Sequence, residues 1–176
     1  EARPLWFAPA ELPESCMPLM EQLIADKRLG VDDIWERLRR LLEAKKLGAA
    51  KLTAAYLPAS QAPSAKTLES IADKPMRHLA LLPSGFAASR QGREMALFAV
   101  QRTARIDPVQ AAQQWEGIKD RFSAADRGYI YGQLGWQAAL KHMPEAIGWY
   151  AQAGNAPLSE DQLAWKARAA LRAQNW

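Results

Sequence analysis

The sequence predicts an all-α chain: a superhelical stack of antiparallel helical hairpins of the α-solenoid, tetratricopeptide-like kind, with about ten helices. Three observations carry this. Alanine is frequent and β-branched residues are scarce, which favours helix nearly throughout. Apolar residues recur at three- and four-residue spacing, with no alternating run that would make a convincing strand. Finally, one helical phrase occurs twice. Residues Arg39 to Leu47 and Arg168 to Trp176 both read Arg-x-x-Leu-x-Ala-x-x-large apolar. A repeated phrase is the signature of stacked hairpins. After the first copy the chain is expected to turn at Gly48 into a partner helix. Nothing follows the second copy, so the chain reads as part of a larger protein, cut short at its carboxyl end.

The elements follow in order. Residues 1–13 hold three prolines and read as an extended lead-in. Residues 14–58 read as the first helical hairpins. Helical spacing starts near Glu14 and stops at Gly30. Asp32 and Asp33 then open a second helix, where carboxylates suit the amino-terminal dipole. In it Ile34, Trp35, Leu38, Leu41 and Leu42 form one apolar stripe. A third helix, 49–57, places Leu52 and Tyr56 on one face. Residues 59–65, within a run rich in proline and serine, read as a loop or hinge. From 66 to 176 the solenoid continues. Short helices are expected near 66–73 and 76–82, then a longer one over 90–106 with Ala96, Val100 and Ala104 in register. Asp107-Pro108 starts the next helix, because proline is tolerated in a first turn. Ser123 with Asp126, and Ser159 with Gln162, give two further start signals of the capping-box type. Tyr131, Leu134 and Gly135, followed by Ala146, Tyr150 and Ala153, suggest a tetratricopeptide-like hairpin in which the two tyrosines fill the gap beside small residues.

Composition narrows the function. The net charge of +4 is modest, and acidic residues are interspersed with the basic ones. No nucleic-acid-reading motif is present, so nucleic acid is not an expected partner. A single cysteine, Cys16, rules out an internal disulfide and reads as a small buried hydrophobe. No apolar stretch reaches the length of a membrane span.

Three segments together carry a family resemblance. The first runs from Cys16-Met17-Pro18-Leu19 through Trp35, Arg39, Leu42 and Gly48 to Leu57-Pro58-Ala59. The second is Arg93-Glu94-Met95-Ala96 through Val100, Ala104, Arg105 and Asp107. The third spans Leu158 to Leu171. In order and spacing they resemble the non-catalytic, superhelical U-shaped region of the periplasmic soluble lytic murein transglycosylases. The resemblance implies a ring of helices, completed by a linker part and a lysozyme-like catalytic domain. It also implies cleavage of the MurNAc–GlcNAc bond of peptidoglycan to 1,6-anhydro products by one glutamate acting as acid and then base. On this reading the chain is a non-catalytic scaffold fragment. Its partners are peptidoglycan, through the whole enzyme, the missing linker and catalytic domains, and other cell-wall proteins. Its location is periplasmic, with a signal peptide removed or omitted. The alternative is a tetratricopeptide-like adaptor without enzymatic activity.

The catalytic domain of that family carries Glu-Ser, then Gly-Leu-Met-Gln, then Ala-Tyr-Asn-Ala-Gly. Here Glu-Ser occurs at Glu14-Ser15 and at Glu69-Ser70, and neither later segment exists. No catalytic residue is therefore assigned, and Glu69 reads as a solvated helix residue. No cofactor is expected. Nor is a metal, since His78 and His142 are isolated from carboxylates at ligand spacing. Of the seven tryptophans, Trp35, Trp115, Trp136, Trp149 and Trp165 are candidates either for gap-filling between helices or for sugar stacking. Their spacing with Leu, Ile and Ala favours packing. Arg37, Arg40, Lys45, Lys46 and Lys51 read as a solvated positive face first and a contact surface second.

Overall fold

The computed structural model describes residues 3–8 and 10–174, and among them the regular structure is helical with no strand. Eleven α-helices are described: α1 (Arg3–Phe7), α2 (Met17–Ala25), α3 (Val31–Glu43), α4 (Leu47–Ala54), α5 (Ala65–Asp73), α6 (Pro75–Ala80), α7 (Arg90–Ile106), α8 (Pro108–Glu116), α9 (Ala124–Leu140), α10 (Glu145–Ala153) and α11 (Glu160–Arg172). Helices next to each other in sequence pack as pairs, α3 on α4, α7 on α8 and α9 on α10, while α7 and α9 also pack on each other.

The local start signals act as the residue types dictate. Asp107 Oδ1 accepts from the backbone N–H groups of Val109 and Gln110, both at 3.0 Å. Ser123 accepts from Asp126 N at 3.1 Å. At α11 the exchange is reciprocal: Gln162 N donates to Ser159 Oγ at 3.2 Å and Ser159 N to Gln162 Oε1 at 2.8 Å. The stripe Ile34, Trp35, Leu38, Leu41 and Leu42 is buried, as are Ala96, Val100 and Ala104.

Several expectations are corrected. Residues 1–13 are not simply extended, because Arg3–Phe7 form α1. Pro4 lies in its first turn, where no intrahelical N–H is required. Trp6 is buried and its indole donates to Asp33 O at 2.9 Å. Arg37 is not on a solvated face: it is 3% exposed and donates to the carbonyls of Trp6, Ala8 and Ala10. Cys16 is only partly buried. Leu52 is 67% exposed, because α4 buries Ala50, Thr53 and Ala54 instead. The turn after the first copy of the repeated phrase lies before Gly48. Lys45 adopts φ 62 and α4 already begins at Leu47. Gln174, at the matching place in the second copy, adopts φ 53. The two phrases thus share a backbone ending but differ in burial: Leu42 is 6% exposed and Leu171 57%.

The α9–α10 hairpin is a close approach made by glycine. A Cβ on Gly135 would sit 2.9 Å from the Tyr150 ring, and one on Gly132 would sit 2.8 Å from Leu158. Tyr150 therefore fills its gap as expected. Tyr131 does not: it turns to α8, where its ring meets Trp115 edge-on and its hydroxyl donates to Glu116 at 2.6 Å.

Candidate functional site

Polar residues recur on one face of three helices. On α3 these are Asp32, Glu36, Arg39 and Glu43; on α7, Arg90, Arg93 and Glu94; on α9, Asp126, Tyr129, Gln133 and Trp136. Spacings of three and four bring each set to one side of its helix. With the first turn of α11, they wall a cleft of about 1010 Å³.

Arg39 ties the walls together. Its guanidinium donates to both oxygens of Glu94, at 3.1 and 2.9 Å, and to Asp126 at 3.0 Å. Its charged face lies over the Tyr129 ring, 4.8 Å from the centroid. Burial by itself would lower its pKa, but Glu94, Tyr129 and Asp126 together hold it above the ordinary value. Arg90 pairs with Asp32 and lies 3.8 Å from Glu94, while Arg40 pairs with Glu36 at 2.5 Å.

Deeper in the cleft lies a group that sequence reading missed. Burial raises the pKa of Glu43, against the opposing pull of Tyr129, Arg39, Arg105 and Arg40. Gln133 donates its amide to Glu43, and Tyr129 bonds it as well. Burial and the same Glu43 push the Tyr129 phenol well above its usual range. Glu43 had only one sequence signal, a carboxylate in the last turn of a helix, where the dipole disfavours it. Its carboxyl can hold a proton, but it is engaged by protein partners.

The candidate aromatics separate. Trp35 is 1% exposed and borders a void of about 10 Å³, room for one water and far too little for a sugar ring. Trp115 is fully buried against Phe122, ring centroids 4.9 Å apart. Trp136, Trp149 and Trp165 are half-buried around a second small core of Ala138, Ala139, Ala146, Tyr150 and Ala169. Of the five, only Trp136 lines the cleft. His78 lies on α6 and His142 in the turn after α9, where it faces Trp165. Among the described residues no cluster of His, Cys, Asp or Glu could hold a metal, and no helix is long and apolar enough to cross a membrane. Glu69 is exposed and pairs with Lys51 at 2.7 Å.

No protein-family model matches the sequence, and no curated protein sequence matches it. A solved structure does match in fold. It is an inactive mutant of the lytic transglycosylase Slt from Pseudomonas aeruginosa, with TM-score 0.73 and 22% identity. The chain has a lytic transglycosylase-like helical fold. The match covers 99% of this chain but only 28% of that one, so this chain spans little more than a quarter of that protein's length.

Proposed function

We propose that this chain is a non-catalytic helical arm of a peptidoglycan lytic transglycosylase, acting in the periplasm as part of a ring that admits glycan strands to a catalytic domain elsewhere in the polypeptide. The observation that carries the reading is the fold similarity to Slt over 99% of the chain. The cleft supports it from the chemical side. Cleaving a glycosidic bond needs a carboxyl group free to protonate the leaving oxygen. Glu43, whose carboxyl is the one with a raised pKa among the described residues, already bonds Gln133 and Tyr129. The two Glu-Ser glutamates, Glu14 before α2 and Glu69 on α5, are both absent from the residues lining the cleft. The arm's partners on this reading are peptidoglycan, through the complete enzyme, and the linker and catalytic parts.

The test compares two polypeptides on purified peptidoglycan, with soluble products read by mass spectrometry for 1,6-anhydro muropeptides. One is the 176-residue chain; the other is extended through the downstream reading frame. The expected result is product from the longer chain alone. Product from the 176-residue chain would overturn the non-catalytic assignment. A downstream frame that yields no product would overturn the enzyme arm itself.

A further inference from the structure

We infer that the cleft between α3, α7, α9 and α11 is a binding site for a short zwitterionic peptide, one with a free carboxylate and a free ammonium group, as the peptide stems of peptidoglycan have. This rests on the reading of peptidoglycan as the partner.

Size comes first. At about 1010 Å³ the cleft lies at the upper end of small-molecule sites and has room for several amino-acid residues. Charge then selects the class. Six carboxylates and four guanidiniums line it. That balance disfavours a polyanion, and so much charge disfavours an apolar ligand. Most of these groups satisfy one another. Arg39 is taken by Glu94 and Asp126, Arg40 by Glu36, Arg90 by Asp32, and Glu43 by Gln133 and Tyr129. Besides Glu43, which has neutral partners, two lining charges have no ion-pair partner among the described residues: Arg93 on α7 and Asp161 in the first turn of α11. Arg93 makes a single bond, to Ala87 O at 2.6 Å. One cation and one anion on different walls match a ligand with both signs.

The α9 wall supplies the remaining polar groups. Gln133 is 3% exposed and its Oε1 has no partner, and neither has Trp136 Nε1 three residues on. A peptide bond offers both missing complements, an N–H for Gln133 Oε1 and a C=O for the Trp136 indole. Both atoms are covered, so their side chains must shift for a ligand to reach them. A bare disaccharide offers the lactyl carboxylate of its muramic sugar but no ammonium.

Calorimetric titration of the 176-residue chain with three probes tests this: a disaccharide-tetrapeptide with a free side-chain amine, the same disaccharide without peptide, and the free tetrapeptide. Both peptide-bearing probes are expected to bind and the bare disaccharide is not. Asp161→Asn, at unchanged melting temperature, and Arg93→Ala, with its helical circular dichroism retained, should each weaken peptide binding about three- to tenfold, and raised salt should weaken it further. Binding of the bare disaccharide alone would overturn the peptide site while leaving the enzyme-arm reading intact. So would peptide binding that both variants leave unchanged. No binding by any probe would also overturn the site, whereas the arm reading stands or falls on the 1,6-anhydro assay.

Discussion

Replacing Arg37 with alanine should loosen the whole amino-terminal segment. Arg37 projects from α3 beneath that segment, donating to the carbonyls of Trp6, Ala8 and Ala10. Its guanidinium also lies 4.9 Å from the centre of the Trp6 ring. No carboxylate pairs with it among the described residues, so these carbonyls are its compensation for burial. Bonds to a charged donor contribute about 1.5–3 kcal/mol each, but three from one group are not additive. The ceiling is set by what docking the segment is worth. Trp6 is 1% exposed. Burying about 150–250 Å² of such a ring at about 25 cal/mol/Å² gives an upper bound of about 4–6 kcal/mol. The expected loss is about 3–5 kcal/mol, in line with breaking a buried, hydrogen-bonded charge. Urea denaturation gives the stability, and hydrogen exchange read by mass spectrometry gives its location, with protection lost over residues 3–12 before the rest. Arg37→Lys should recover only part, because an ammonium cannot reach several carbonyls through a planar fork. An Arg37→Ala protein with unchanged midpoint and unchanged exchange in that segment would refute the argument.

Two further outcomes follow from the packing and the cleft. Gly135→Ala should cost about 1–3 kcal/mol, because its Cβ meets the ring of Tyr150 at 2.9 Å and Tyr150 is held by burial and by its bond to Gln162 O at 3.0 Å. Gly148→Ala, where no heavy atom lies within 4 Å, should instead stabilise the helix by about 0.5–1 kcal/mol, and equal effects at the two sites in urea melts would contradict this. Because burial raises the Glu43 pKa, the folded chain binds that proton more tightly than the unfolded chain. The resulting stability is complete below the unfolded pKa and is lost as pH rises through the folded value. Glu43→Gln, which fixes a neutral group that still accepts from Gln133, should therefore raise the melting temperature at about pH 7 and change little at about pH 3. A lower melting temperature at neutral pH would show that the surrounding arginines outweigh burial.

How much was legible depended on the range of the interaction. Ser123, Ser159 and Asp107 announce helix starts because each cap is made within three residues of itself. The stripe of α3 is equally plain, since a 3.6-residue period fixes which side chains share a face. Leu52 shows where this stops. Its spacing with Tyr56 says that the two share a face, not whether a neighbour covers it, and Leu52 is exposed. Arg37 is a similar case. It lies among basic residues on a helix, and only the return of a segment some 30 residues earlier in sequence buries it. The tryptophans carry one letter and three environments, from Trp35 sealed in the core to Trp136 on the wall of the cleft.

The sequence by itself determined that this protein is helical, where most helices begin, and which residues of each helix point the same way. Those properties come from backbone propensity, capping and periodicity, all settled within a turn or two of chain. Tertiary structure alone decided that Arg39 joins Glu94 and Asp126, 55 and 87 residues distant, and that Glu43 meets Gln133 across 90. It likewise decided which charges are left without a partner beside them. Pairing of this kind depends on how helices pack in space, and buried charge is tolerated only where that packing brings a partner within reach.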